Sequence, residues 1–136
     1  INKAISYFKN PILQFHGDES QDFCASFNLP YIKAISMNEK DFQNKIIEFG
    51  DAFAILLDSG GQKIRGGTGK TFDWKLIPKE IKNNLIIAGG LNSNNITSLI
   101  KSYKPYGVDL ASGVESKPGK KDIAELKHFL KIVDEI

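Results

Sequence analysis

Five short apolar segments alternate with segments that have the residue spacing of helices, and this alternation constrains the fold most strongly. The apolar segments are residues 11–16, 30–35, 51–58, 84–90 and 106–113. The helical segments lie near residues 20–27, 38–49, 74–82, 93–103 and 120–134, and residues 1–8 resemble the end of another helix. Repeated strand–helix units predict a parallel sheet with right-handed crossovers. No linker-like stretch interrupts the series, so we predict one domain over residues 1–136.

Local patterns add detail to two of these helices. Ser36 and Glu39 have the spacing of a capping box, and Gly50 matches a glycine that ends a helix. The last helix is expected to pack through one apolar face formed by Ile123, Leu126, Leu130 and Val133.

Five strand–helix units fit two fold classes. An open doubly wound sheet of five strands would be a complete domain, whereas a (β/α)8 barrel needs three more units and about 200 residues or more. Both classes place their sites at the carboxyl ends of the strands, so the residues there are the candidates for function.

Composition excludes several other classes of protein. The net charge of +2 suits a small anionic ligand but gives no clustered basic face for nucleic acid. No apolar run reaches the roughly 18 residues of a membrane span, and the first residues lack the pattern of a signal peptide. The single cysteine, Cys24, is expected to be buried in a helix, and the two histidines lack zinc-binding spacing, so we predict no metal. A cytoplasmic location is the expectation.

Three glycine-rich stretches follow predicted strands. The first, "GGTGKTFDW" at residues 66–74, resembles a P-loop, but Ile64 stands where the first glycine of that motif belongs. Its Gly67 still permits close approach of backbone to a ligand. The other two stretches, "AGGLN" and "ASGVESKPG", place Gly89, Gly90, Ser112 and Gly113 where backbone amides could hold a phosphate. Tight turns without a ligand are the alternative.

Polar residues at the strands supply further candidates. Asp58 follows the apolar run "AFAILL", where a poorly solvated carboxyl suits a general acid, or else caps the next turn. Alternation places Gln14 and His16 on one strand face, so they are candidate substrate contacts. Asp109 is expected to point inward, where a buried carboxylate needs a partner or a ligand. Lys33 is either a substrate ligand or half of an ion pair.

These stretches together resemble one family. The motifs "LQFHGDES", "IKAI", "ILLDS", "GGTGKTFDW", "IIAGGLNSNNI" and "VDLASGVESKPGKKD" occur in the order found in phosphoribosylanthranilate isomerase, an enzyme of tryptophan biosynthesis. One departure is Ala111, where the family often has serine. A related barrel enzyme of histidine or tryptophan synthesis is the alternative, but "GKTFDW" after the acidic strand favours the anthranilate isomerase.

The resemblance implies an Amadori rearrangement of a phosphoribosyl substrate on a (β/α)8 barrel. Asp58 matches the family's general acid, and the three glycine-rich stretches match its phosphate loops. No metal or organic cofactor is implied, because the steps are proton transfers.

The resemblance also implies that strands four to eight of the barrel are present and the first three are missing. The family's general base, a cysteine on the first strand, has no match in this sequence, and the chain begins with Ile1 rather than methionine. We therefore expect a partial barrel whose open sheet edges favour self-association or a complementing fragment. A fragment that binds phosphate ligands without catalysis is the alternative function.

Overall fold

A five-stranded parallel sheet forms the centre of the computed structural model, which describes residues 1–59 and 73–136. Its strands are β1 (Leu13–Phe15), β2 (Tyr31–Ser36), β3 (Ala54–Asp58), β4 (Asn84–Ala88) and β5 (Gly107–Asp109). The helices are α1 (Asn2–Ile5), α2 (Gln21–Ala25), α3 (Phe42–Glu48), α4 (Ile96–Tyr103) and α5 (Ile123–Asp134). The predicted five parallel strands are confirmed.

The strands lie in the sheet in the same order as in the chain, β1-β2-β3-β4-β5. A doubly wound sheet reverses direction at a switch point, and the described strands show no such reversal. Right-handed crossovers that all advance in one direction leave the helices on one face.

The two faces of the sheet differ in what they bury. Ile55, Leu57 and Ile87 point to the helix side and pack there with Cys24 and Phe129 in the main core. On the opposite face, Ala34, Leu56 and Ala88 form a small separate layer, flanked by Ile32 and Ile86. Cys24 is fully buried, as predicted.

The helix between β2 and β3 begins later than predicted. Ser36 is the last residue of β2 and pairs with Asp58 in the ladder, so it cannot cap a helix. Its hydroxyl accepts a hydrogen bond from the Asn38 amide at 3.3 Å, and α3 starts only after Asp41. The capping-box prediction was therefore wrong, whereas Gly50 does follow Phe49, the C-cap residue of α3.

Two other segments predicted as helix differ from the structure. Residues 74–82 contain only a 3-10 turn, Trp74–Leu76, among the described residues, and Pro78 prevents its extension. The beginning of the predicted helix 120–134 is instead half of an antiparallel hairpin, formed by β6 (Glu115–Lys117) and β7 (Lys120–Lys121). Asp122 then caps α5, because its carboxylate accepts from the amides of the first turn.

The packing face of α5 was predicted partly wrongly. Phe129 is 2% exposed and anchors the helix, together with Leu126 and Val133. Ile123 and Leu130 are exposed instead, because the helix turns its 126–129–133 face to the sheet. None of the helices in residues 1–59 and 73–136 has both the length and the apolar character to cross a bilayer.

Candidate active site

Asp58 ends β3 at the carboxyl edge of the sheet. Alternation along β3 puts its side chain on the same face as Leu56, away from the helices. The side chain is 26% exposed, so it is reachable from solvent while standing on an otherwise buried strand. The Ser59 hydroxyl lies 3.4 Å from Asp58 Oδ1, which holds one carboxyl oxygen towards the next loop.

His16 is the second polar group of this edge. It follows β1, yet its Nε2 lies 4.0 Å from Asp58 Oδ2 across the end of β2. Two strand spacings amount to about 9.6 Å, so both side chains lean over the intervening strand. The separation exceeds a direct hydrogen bond, which leaves room for a substrate atom to contact both groups. Gln14 shares the strand face of His16, as predicted, and is exposed.

Asp109 lies at the end of β5, level with Ala88 of β4. Its neighbours Val108 and Leu110 pack towards the helix side, so Asp109 points to the same face as Asp58. The predicted orientation is therefore found, but the expected burial is not, because β5 has no described strand on its other side and Asp109 is exposed.

Lys33 does not join this group. It alternates with Tyr31 and Ile35 on the helix side of β2 and is 2% exposed. Its ammonium donates to Glu19 Oε2 at 2.8 Å and to the Gly17 carbonyl at 2.7 Å, and it lies 5.0 Å from the centre of the Phe49 ring. The expected substrate contact is corrected to the ion-pair alternative, because the side chain leaves the sheet on the opposite face.

Glu19 was missed as the partner of Lys33. The Lys33 ammonium holds the pKa of the Glu19 carboxyl below its usual value, because it donates a hydrogen bond to the ionised form. Glu19 Oε2 also accepts from the Gly17 amide at 2.9 Å. The pair thereby fixes the loop that directly follows His16. The sequence showed Glu19 at the end of β1 but not which face Lys33 would take.

The turn after β4 is built on two glycines with left-handed backbone. Gly89 has φ 84° and Gly90 φ 66°, values that other residues rarely adopt. A Cβ at Gly89 would lie 2.2 Å from Ser59 Oγ, so only glycine lets this turn touch the loop after Asp58. Asn95 then closes the turn, since its amide donates to the Gly90 carbonyl at 2.9 Å and its Oδ1 accepts from Asn92 N at 3.0 Å.

The helix that follows begins at Ile96 with Asn95 before it, later than the start of the predicted helical segment 93–103. Asn92 instead accepts from the Asn94 amide and shapes the turn, which explains the delay. The Ser93 hydroxyl is buried and has no hydrogen-bond partner among residues 1–59 and 73–136.

Ser112 and Gly113 form the corresponding 3-10 turn after β5, Ser112–Val114. A Cβ at Gly113 would lie 1.7 Å from the Leu91 carbonyl oxygen, so the turns after β4 and β5 are in backbone contact. Contacts therefore link the successive loops: Asn38 donates to the Ser59 carbonyl at 2.7 Å, Ser59 meets Gly89, and Leu91 meets Gly113. Sequence reasoning missed Asn38 and Ser59, although Ser59 directly follows Asp58.

The described residues thus bring a carboxyl, an imidazole and two glycine-bearing turns to one edge of the sheet. Gly67, the remaining candidate for phosphate, lies outside the described residues. No group of three His, Cys, Asp or Glu side chains in residues 1–59 and 73–136 is placed to hold a metal ion. The arrangement suits proton transfer on an anionic ligand whose charge is held by backbone amides.

Comparison with known proteins identifies what this arrangement resembles. A family model described as N-(5′-phosphoribosyl)anthranilate (PRA) isomerase matches residues 1–132. The N-(5′-phosphoribosyl)anthranilate isomerase of Legionella pneumophila (strain Corby) is 49% identical over 123 residues, which cover 90% of this chain and 59% of the relative. The chain therefore spans about three fifths of that relative's length.

Solved structures agree with the sequence comparison. The crystal structure of phosphoribosyl anthranilate isomerase from Thermotoga maritima superposes with a TM-score of 0.84 at 34% identity, over 100% of this chain and 67% of the other. A structure of such an isomerase in complex with reduced 1-(o-carboxyphenylamino)-1-deoxyribulose 5-phosphate gives a TM-score of 0.80 at 31% identity, over 100% of this chain and 66% of the other.

Proposed function

Because this chain belongs to the N-(5′-phosphoribosyl)anthranilate isomerase family, we propose that it carries the acid and phosphate-binding part of an isomerase of tryptophan biosynthesis. The proposed reaction converts N-(5′-phosphoribosyl)anthranilate into the corresponding 1-deoxyribulose phosphate. The observation that carries the proposal is that Asp58 and the two glycine turns occupy one edge of the sheet, linked through Ser59 and Gly89.

In this proposal Asp58 is the general acid. It gives its proton to the ribose ring oxygen, the bond from that oxygen to C1′ breaks, and a Schiff base with the anthranilate nitrogen forms. Removal of the C2′ proton then gives an enol, which becomes the ketone of the product when C1′ gains a proton and the C2′ hydroxyl loses one. His16, with its Nε2 4.0 Å from the Asp58 carboxyl, and Gln14 contact the substrate beside the acid.

The phosphate lies, in this proposal, over the turns that contain Gly89, Gly90, Ser112 and Gly113. Positive φ at the first two glycines and the close backbone contact at Gly113 leave main-chain groups uncovered by side chains. Gly67 and Asp109 stay candidates for phosphate and substrate binding, respectively.

The cysteine that the family resemblance implies as the base for the C2′ proton is not found at this edge among the described residues. Cys24 is fully buried behind the sheet in α2 and does not face Asp58. We propose that the base comes from a further segment or a second chain that completes a (β/α)8 barrel of which this sheet forms five strands. The length of the curated relatives supports this view, since the chain covers 59% of the one from L. pneumophila.

Such completion requires pairing at the sheet edges. On β5, Tyr106 N donates to Leu85 O at 2.8 Å, so alternation turns the amide of Gly107 to the other side, where no described strand lies. On β1, Leu13 N donates to Pro30 O at 3.0 Å, so the backbone amide of Gln14 likewise points away from β2. We propose that these edges pair with a complementing chain or, without one, with a second copy. A phosphorylated substrate does not cross membranes unaided, so we place the reaction in the cytoplasm.

Ligand titration of the isotope-labelled chain followed by NMR tests the proposal. The ligand is the reduced deoxyribulose phosphate that one related structure contains. We expect amide shifts at both glycine turns and at Asp58 with one common affinity, and isomerase activity when the remaining family strands are supplied. Binding without activity in that complemented preparation would indicate a phosphate-ligand binder instead, and shifts confined to other regions would refute the assigned site.

A further inference from the structure

A hairpin directly follows the Ser112–Val114 turn and returns to its beginning. Lys121, at the end of the hairpin, donates from Nζ to the Ala111 carbonyl at 2.6 Å and to Glu115 Oε1 at 2.9 Å. We propose that the Lys121–Glu115 pair positions the Ser112–Val114 turn for phosphate, an inference that rests on the proposed phosphate site. Lys121 acts through the Ala111 carbonyl and does not itself contact the phosphate.

Glu115 is the fixed end of this arrangement. Its side chain is only 16% exposed, and both of its oxygens are used, since Oε2 accepts from the Gly119 amide at 3.2 Å. Gly119 has φ 77° and open space around it, which allows the hairpin to fold back over Glu115. The hydrogen bond from the Lys121 ammonium also holds the pKa of the Glu115 carboxyl below its usual value, so this carboxyl is ionised at neutral pH.

Ala111, directly before the turn, has no local side chain that fixes its backbone. It precedes the turn with φ −124° and ψ −71°, and it supplies no side-chain cap. A residue with a capping hydroxyl or carboxylate could order the start of the turn locally, but a methyl group cannot. Lys121 instead fixes the Ala111 carbonyl from ten residues away.

The other end of the turn is packed against the rest of the protein. Val114 is 2% exposed in the core, and Gly113 lies against the Leu91 carbonyl. With Lys121 on Ala111, the turn is held both before and after Ser112. The restraint therefore acts on the backbone of Ser112 and Gly113, the two residues of this turn in the proposed phosphate site.

The hairpin provides its own controls. Lys117 and Lys120 carry the same charge, but their ammonium groups make no hydrogen bond or ion pair with the part of the chain that the structure describes. Lys120→Met and Lys121→Met therefore change the net charge equally, at neighbouring positions.

Affinity for inorganic phosphate, followed through the amide shifts of Ser112, Gly113, Gly89 and Gly90, tests the inference in the chain as it exists. We expect Lys121→Met to weaken binding about tenfold, the size of one charge-assisted hydrogen bond. Lys120→Met should stay within about twofold, because an exposed charge is screened at physiological salt. Lys121→Arg, which can still donate to Ala111 and Glu115, should recover most of the affinity.

Glu115→Gln separates positioning from direct contact with phosphate. Loss of a negative charge alone would strengthen anion binding, and a freed Lys121 that touched phosphate would strengthen it further. Positioning predicts the opposite, a weakening of several-fold, whereas Glu125→Gln on α5 should leave binding unchanged or slightly tighter. Equal affinities for Lys121→Met and Lys120→Met, or tighter binding by Glu115→Gln, would overturn the inference. If the unmodified chain shows no phosphate-dependent shifts at these four residues, the proposed phosphate site itself is wrong.

Discussion

Asp58 and His16 come from two strands that are not neighbours in the sheet, since Asp58 ends β3 and His16 follows β1. The contact between them crosses the end of β2, where Ser36 is the register partner of Asp58. Neither side chain has another described ion-pair partner, and the Asp58 carboxyl has one long contact to Ser59. Among residues 1–59 and 73–136 the Asp58 carboxyl thus has only the His16 and Ser59 contacts, and its role as general acid is our proposal.

Replacing Asp58 by asparagine keeps the shape of the side chain but removes the transferable proton. In any preparation of this chain that turns over phosphoribosylanthranilate, alone or with a complementing chain, we expect turnover to fall by about 10²–10⁴-fold. Binding of the reduced product analogue should change little. Steady-state kinetics with parallel binding measurements check this, and near-normal turnover would remove Asp58 from the role of acid.

Replacing Gly113 by alanine should disturb both packing and ligand binding. The new Cβ would lie 1.7 Å from the Leu91 carbonyl oxygen, so the two turns must move apart. We expect a loss of about 1–3 kcal/mol in the free energy of unfolding, together with weaker phosphate binding. Gly107→Ala is the matched control, because its Cβ meets only an Ile86 atom at 3.8 Å. Unaltered denaturant midpoint and phosphate affinity in Gly113→Ala would contradict the close contact.

At the scale of elements, β2 carries a charge into the layer between sheet and helices. The Lys33 ammonium is almost completely enclosed, and Glu19 with the Gly17 and Glu19 carbonyls provides its acceptors. Removal of one partner of a buried pair usually costs about 3–5 kcal/mol, because the remaining charge stays desolvated. The loop between β1 and α2 is therefore fixed by Lys33 of β2 as well as by its own hydrogen bond from Gly17 to Glu19.

This pair gives stability a defined dependence on pH. The pKa of Glu19 is lower in the folded chain than in the unfolded one, so its contribution is present above about pH 4.3 and is lost as the pH falls through the folded value. We expect Glu19→Gln to be less stable by about 1–3 kcal/mol at pH 7, because the Lys33 ammonium loses its charged acceptor, and we expect this deficit to shrink as the pH falls below about 4.3. Urea unfolding from pH 7 to pH 3 measures the difference, with Glu80→Gln as an exposed control. A constant difference over that range would be inconsistent with the pair.

The sequence predicted strands better than helices for physical reasons that particular residues illustrate. Each strand is a short apolar run closed by polar or glycine residues, and alternation placed Gln14 and His16 on one strand face. Strand β2 is apolar on both faces, so nothing local indicated that Lys33 would face the helices. Serine is a residue type that often caps helices, but Ser36 belongs to β2 because it pairs with Asp58 in the sheet. The hairpin at 115–121 has no apolar periodicity and depends on Glu115 and Lys121, which meet only after folding.

For the whole molecule, the two sheet edges at β1 and β5 matter most, since no further strand in residues 1–59 and 73–136 pairs with them. The backbone amides of Gln14 and Gly107 point outward and could donate to a further strand. The apolar layer on the face opposite the helices is small, with Ala34, Leu56 and Ala88 as its buried members. The strand order and the match to complete isomerases of greater length are consistent with a larger sheet, which we keep as a proposal.

Gly107→Pro tests edge pairing directly. Proline removes the outward donor of β5 but leaves the bonds to β4, which come from the residues on either side. We expect reduced self-association in sedimentation velocity over a range of concentrations, whereas Gly107→Ala, which keeps the amide, should behave as the unmodified chain does. If all three proteins sediment as the same monomer at high concentration, association through this edge does not occur.

Because Gly113 touches the Leu91 carbonyl, selection for folding and selection for catalysis would act differently on positions 113 and 58. In a library selected only for folded protein, position 113 would remain glycine even though no ligand is present, while position 58 would be free to drift. In a library selected for catalysis, both would be retained. Retention of glycine at position 113 would therefore be explained by the contact between the two turns alone, whereas retention of aspartate at position 58 would indicate a catalytic role.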